Sequence, residues 1–509
     1  MPEPLLCVSP ESLFVGYDFS TGGVKALAFD LSGATVAEVR LPTDLWTEGG
    51  VSELNLMQLE GQAYSITRLL AKKLTDLGAG RWVAAGISAT HHSAGRIDET
   101  GNQVRRAICW NDQTLALYHR VGLERLGGQT RAIELTGGPW AVRYSLSHFL
   151  KDEAHLSEVD WRRTRWMLPH GPLAAGYLTR RFDCTSISSA ASTGLLDLRT
   201  NHWRREMLNS LSRPDQQEQA WKSLPRVIDM NEPVGPISES IALSAKLSGQ
   251  TRPLVFPTLD DQAAGLIGGG AVEAGEVAII LGNSAVVNSS SSSLPRTTSL
   301  DAMKLNWGPY LWMRCYSNGA QFLDRVVGPN PDWAKLEAAA KSLPPGCNGT
   351  AVLPFLLSEP SIGVNQPCVR WYPTQPEDAG TRVRASFEAI AYLIALGVRQ
   401  HEVAGQAIRR LTVSGGIARS DLMCEILAAV LNRPLDRLVS SEGPALGAAV
   451  VALAGYETHL RRQKGIDKPY TAGDAAATLV KFRDRVEPRA AWVEPYRVGL
   501  TEFESRLRS

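Results

Sequence analysis

FVGYDFSTGGVKALAFD, residues 14–30, reads as two short apolar runs, 14–17 and 24–29, joined by the tight turn 20–23. Such a pattern is a β-hairpin, with Asp18 at the end of its first strand. The turn offers backbone N–H groups and the hydroxyls of Ser20 and Thr21, a nest for an anion, and Lys25 adds a positive charge just beyond. Asp18 is a hard oxygen ligand of the kind Mg²⁺ takes. Read alone, an Asp before Ser-Thr-Gly-Gly is ordinary turn chemistry.

Downstream, residues 55–74 place Leu56, Leu59, Ala63, Ile66, Leu69 and Leu70 at helical spacing. Residues 82–88 read as a strand that ends in Thr90-His91-His92-Ser93. Neighbours in a strand point to opposite faces, which argues against a metal site built on the two histidines. His91, His92, Trp110, Asn111 and Asp112 supply what a sugar site needs: a flat apolar face and hydrogen bonds of both senses. Residues 120–179 are helical in composition, broken by Pro-His-Gly-Pro at 169–172.

A second unit opens near residue 259. LDDQAAGLIGGG leads from Asp260 and Asp261 into a helix of small residues; an Asp there is a preferred N-cap, or a carboxylate that accepts a hydroxyl proton. VAIILGNSAVV, residues 277–287, is again two apolar runs around a turn, Gly282-Asn283-Ser284, and weakly echoes the first hairpin. Serines 289–293 read as a flexible loop. LTVSGGIARSD, residues 411–421, is a strand, a Gly415-Gly416 turn and an N-cap at Ser420, suited to a nucleotide bound against a helix N-terminus. EGPALGAAVVALAG, residues 442–455, is a helix small enough for a backbone or ligand to approach closely. The charged remainder reads as a helix on the outside.

Length and composition bound the alternatives. A chain of 509 residues exceeds one ordinary core, so two large domains are expected. A formal net charge of +1 leaves no basic field for nucleic acid or an anionic membrane. Seven scattered cysteines without a CxxC pair suggest neither a disulfide framework nor a zinc site. MPEPLLCVSPESL is not a signal peptide, and residues 277–295 are too polar to span a membrane, so the expected address is cytoplasmic.

Taken in order, these motifs resemble the FGGY carbohydrate kinase family, most closely its xylulokinase branch, over residues 13 to 456. The resemblance rests on GYDFSTGGVKALAFD, THHSAGRIDETGNQVRRAICWND (residues 90–112), LDDQAAGLIGGGAVEAGEVAIILGNSAVV (259–287), SGGIARSDLMCEILAAVLNRPL (414–435) and EGPALGAAVVALAG. It implies an α/β, actin-like ATPase (ribonuclease H-like) fold with two similar domains around an ATP cleft. The implied layout is a leader 1–12, an N-terminal domain 13–270, a C-terminal domain 271–456 and a helical tail 457–509. The resemblance singles out Asp261 as catalytic base, because the family's catalytic Asp directly precedes a Gln or Asn, here Gln262. It implies His91, His92, Trp110, Asp112, Asp261 and Gln262 on the sugar, and Asp18 and Asp261 near Mg²⁺. It implies Ser20, Thr21, Gly22, Lys25, Gly282, Asn283, Ser284, Gly319, Gly415, Gly416 and Ser420 on ATP. His91 stands where that branch usually has Met. The implied reaction is ATP-dependent phosphorylation of D-xylulose, or of ribulose, glycerol or erythritol. A sugar- and nucleotide-binding sensor is the rival of another class. A homodimer is compatible with the resemblance.

Overall fold

Ser12–Phe19 sits at the centre of the first sheet and sets its register in the computed structural model, which describes residues 6–247, 252–297 and 299–508. It pairs antiparallel with Gly23–Phe29, which pairs with Thr35–Pro42, and parallel on its other side with Arg81–Ala89. All eight of its residues are buried, as a strand covered on both faces requires. Leu259–Asp260 adds in parallel to Arg81–Ala89, with Leu259 opposite Ser88 and Asp260 opposite Ala89. Three parallel strands therefore end together, bringing the segments around Asp18, His91 and Asp261 to one edge. In open α/β sheets that carboxyl edge is where ligands bind.

The helix Leu56–Asp76 covers one face through Leu59, Ala63, Ile66, Leu70 and Leu74, with Asn55 capping it. The helix Gly443–Gln463 lies close against the sheet backbone. A β-carbon at Gly16 would stand 1.7 Å from the Ala445 carbonyl oxygen, and one at Gly86 would stand 1.9 Å from that of Ala448. The close approach expected of residues 442–455 is thus made by another backbone.

The chain divides into two compact units. The first comprises Met1–Gly268, Asp301–Leu311 and Pro444–Val480, and the second Gly269–Leu300, Trp312–Gly443 and Lys481–Ser509. From Pro444 onward the helix Gly443–Gln463 belongs to the first unit, on whose sheet it packs. Of the expected leader 1–12, residues 1–5 lie outside the described residues, and Ser12 already belongs to the central strand.

The second unit repeats the first hairpin's plan. Glu276–Leu281 pairs antiparallel with Ala285–Ser291 and parallel with Arg410–Ser414. Its core gathers around the helices Ala379–Val403 and Asp421–Leu431.

Two expectations fail here. The serine run is no flexible loop. Ser289, Ser290 and Ser291 extend a buried strand, with the Ser289 hydroxyl 2.9 Å from His401 Nδ1 and Ser290 Oγ donating to the Val272 carbonyl. The hydroxyls find partners inside, so burial costs little. Nor is the tail only an outer helix: Phe482–Val486 forms the sheet edge against Leu435–Leu438, and Ala490–Arg508 buries Tyr496 and Phe503. Two of its charges, Glu457 and Arg461, are buried and pair with each other at 2.8 Å. Among the described residues no helix is long and apolar enough to cross a membrane.

Candidate active site

In the first unit, the ends of the three parallel strands build a polar cluster. Asp18 is buried and accepts a hydrogen bond from Ser88 Oγ at 3.0 Å, the residue opposite it in the ladder. On its other side the register places Lys25. Asp260 caps the helix Asp261–Gly268: its Oδ1 accepts from the backbone N–H groups of Gln262 and Ala263, and its Oδ2 from Ser188 Oγ. Asp261 is left over. Its Oδ1 is buried without a hydrogen-bond partner, and burial together with the negative charges of Asp260 and Asp18 pushes its carboxyl up to about 8.

His91 and His92 follow the second parallel strand. They do not diverge as strand neighbours would. His92 adopts a left-handed backbone, φ 62°, so the two rings stack with centroids 3.5 Å apart. Tyr144 stacks on His92 in turn at 4.6 Å. His91 Nδ1 lies 3.4 Å from Asp260 Oδ1, and one ligand atom each from His91, Asp260 and Asp261 lies within 4.8 Å of the others. The two rings therefore lie on one side, yet the group with metal-ligand spacing takes His91 without His92. Burial lowers both histidine pKa values, so both rings are neutral near pH 7 and carry one donor and one acceptor nitrogen. Both His91 nitrogens, His92 Nε2 and the Tyr144 hydroxyl are buried without a hydrogen-bond partner. Buried polar atoms are normally satisfied, so orphans gathered in one cluster mark a ligand site.

Local motifs did not reveal the rest of this cluster. Arg143 pairs with Asp301, and Asn306 accepts from the Ser188 backbone N–H while donating to the Thr258 carbonyl. Tyr144 carried no signal beyond an aromatic in a helical stretch. Trp110 is 48% exposed, whereas the Asp112 carboxylate accepts from Thr114 and pairs with Lys151 at 2.9 Å.

Within the turn after Asp18, Ser20 donates from both N and Oγ to the Gly23 carbonyl, so its hydroxyl closes the turn. A β-carbon at Gly22 would meet nothing within 4 Å, and Thr21 is partly exposed.

The second unit holds a pocket of about 520 Å³ bordered by Gly282, Asn283, Trp333, Glu337, Gly416 and Ser420, among others. Gly319 packs on the Gly282-Asn283-Ser284 turn, where a β-carbon would lie 2.6 Å from the Gly282 carbonyl oxygen. Gly415 has φ +99°, and its β-carbon would meet the Leu281 carbonyl at 2.4 Å. Gly416 faces open space. The expected cap at Ser420 is present on the helix Asp421–Leu431, and Glu337 joins it. Ser420 Oγ accepts from Met423 N and donates to Glu337 Oε1, which also accepts from Leu422 N.

Two family models match these same stretches: the N-terminal domain of the FGGY family of carbohydrate kinases over residues 13–268, and its C-terminal domain over residues 279–456. The chain belongs to the FGGY family of carbohydrate kinases. A xylulose kinase of Haemophilus influenzae is 24% identical over 457 residues, covering 87% of this FGGY kinase and 90% of that protein. The crystal structure of xylulose kinase from Rhodospirillum rubrum superposes with a TM-score of 0.79 at 20% identity, over 97% of this chain and 98% of that one. Plasmodium falciparum glycerol kinase with ADP superposes at 0.80 with 16% identity, over 98% of each. The FGGY kinase thus has the mixed α/β, two-domain, actin-like ATPase fold.

Proposed function

We propose that this carbohydrate kinase transfers the γ-phosphate of ATP to a hydroxyl of a small ketose, with D-xylulose, giving D-xylulose 5-phosphate, as the first candidate. The observation that carries the reading is the unpartnered Asp261 Oδ1 beside the unpartnered atoms of His91, His92 and Tyr144. A polyhydroxyl ligand satisfies such a set, because each hydroxyl both donates and accepts. Neutral imidazoles bind hydroxyls without demanding a counter-charge.

Asp261 accepts the proton of the attacking hydroxyl. Phosphoryl transfer passes through a loose transition state, so this base works mainly by orienting the nucleophile. The stacked His91 and His92 rings hold neighbouring hydroxyls, and Tyr144 closes the stack. Asp18 and Asp261 are a hard oxygen pair that fits Mg²⁺, and Asp18 is one of the charges that raise the Asp261 carboxyl. When bound, the ion neutralises charge on the phosphates. In the second unit, ATP would set its nucleoside in the pocket and its phosphates against the 282–284 turn.

Xylulose kinases among the relatives favour a ketopentose, whereas the glycerol kinase likeness keeps polyols such as glycerol or erythritol, and ribulose, as the second reading. A cytoplasmic location and a homodimer belong to the same proposal. The test is ADP release from Mg-ATP across a panel of ketoses, aldoses and polyols. Stimulation by one pentulose above all others is expected. If no sugar or polyol stimulates ADP release, a binding sensor replaces the kinase.

A further inference from the structure

Glu337 lies on the helix Trp333–Lys341 and borders the second unit's pocket with Trp333, Leu281, Phe387 and Gly416. Its carboxylate is held from one side only. Oε1 accepts from Ser420 Oγ at 2.7 Å and from Leu422 N at 3.0 Å. Among the described residues no hydrogen bond reaches Oε2. The clamp is built from a helix cap and a backbone N–H, so the side chain is oriented before any ligand arrives.

We propose that Glu337 is the residue that reads the ribose of the nucleotide, its Oε2 accepting a hydrogen bond from a 2′- or 3′-hydroxyl. The inference rests on the nucleotide reading of this pocket and adds a selectivity to it. Charge excludes the phosphate end: a carboxylate already occupies the N-terminus of Asp421–Leu431, and a phosphate there would face like charge. Chemistry separates ribose from base. The Watson–Crick edge of adenine sets the N6 donor beside the N1 acceptor and suits a paired donor and acceptor, whereas a lone carboxylate oxygen beside N1 meets a lone pair. A ribose hydroxyl donates its O–H to a lone acceptor without setting a second lone pair against it. Trp333, 40% exposed, and buried Phe387 leave apolar surface for the base.

The test compares ATP, 2′-deoxy-ATP, 3′-deoxy-ATP and ITP as phosphoryl donors, with calorimetry of Mg-ADP binding. Wild type should prefer ATP over at least one deoxy analogue by roughly 10-fold, the scale of a charge-assisted hydrogen bond. Glu337→Ala should raise the ATP KM by a similar factor and abolish that preference, with kcat and the sugar KM unchanged. Glu337→Gln keeps an oxygen for Ser420 and Leu422, so it should melt like wild type yet lose the same preference. Retained ribose preference in both variants overturns the assignment, as does loss of the ATP-over-ITP preference instead. A wild type that binds no Mg-ADP overturns the kinase reading along with it, which separates the two failures.

Discussion

Asp260 and Asp261 are adjacent in the chain and opposite in use: the first caps a helix with both oxygens engaged, and the second keeps a buried oxygen without a partner. Asp260→Ala should therefore cost stability, about 1–2 kcal/mol for a lost N-cap and the stranded Ser188 hydroxyl, read as a lowered melting temperature. Asp261→Ala should leave sugar binding in place while kcat falls by roughly 10²–10⁴-fold. Near-normal turnover in the second variant would remove Asp261 as base.

Asp261 also ties stability to pH. Its carboxyl titrates near 8 in the folded chain against an ordinary 3.8. A carboxyl raised on folding contributes stability that is fully present below about 3.8 and is lost as pH rises towards 8. Asp261→Asn removes that loss. The metal-free variant should outmelt wild type at pH 8 by an amount on the order of 1–3 kcal/mol, and the gap should close below pH 4. Equal melting at both pH values would contradict the raised carboxyl.

The two glycines at 415 and 416 separate folding from binding. At Gly415 an alanine meets both a positive φ and the Leu281 carbonyl, and Gly415→Ala should destabilise the protein by roughly 1–3 kcal/mol. Gly416→Ala adds a methyl group to open space on the pocket wall at φ −60°. It should melt normally and raise the ATP KM several-fold with the sugar KM unchanged; a shifted sugar KM alone would refute the nucleotide reading.

His92→Ala takes away a ring stacked between His91 and Tyr144. The sugar KM should rise by about 10-fold or more with the ATP KM steady. His91→Met swaps two unpartnered nitrogens for a thioether and should change the ranking of ketoses against polyols on the substrate panel. An unchanged ranking would place His91 outside the acceptor's reach.

Gly86 tests the packing of the first unit. A methyl group there would stand 1.9 Å from the Ala448 carbonyl oxygen, backbone that cannot yield as a side chain can. Gly86→Ala should cost about 3 kcal/mol or more, or abolish soluble expression, whereas Gly22→Ala, in open space, should fold like wild type.

The elements legible in the chain's order of residues are those that short-range chemistry encodes. The hairpin around residues 20–23, the strand leading to Thr90, the Gly415–Gly416 turn and the cap at Ser420 all follow from period, turn residues and capping within a few positions. The order of those motifs carried the family. Tertiary structure alone decided which of Asp260 and Asp261 is left over, because Ser188 arrives from 72 residues away. It brought Tyr144 and the Arg143–Asp301 pair to the histidines, set Glu337 against Ser420, and buried the serine run beside His401. Each of these is a choice of partner for a polar atom. Local sequence lists which atoms need partners, but it cannot say which segment folds back to supply them.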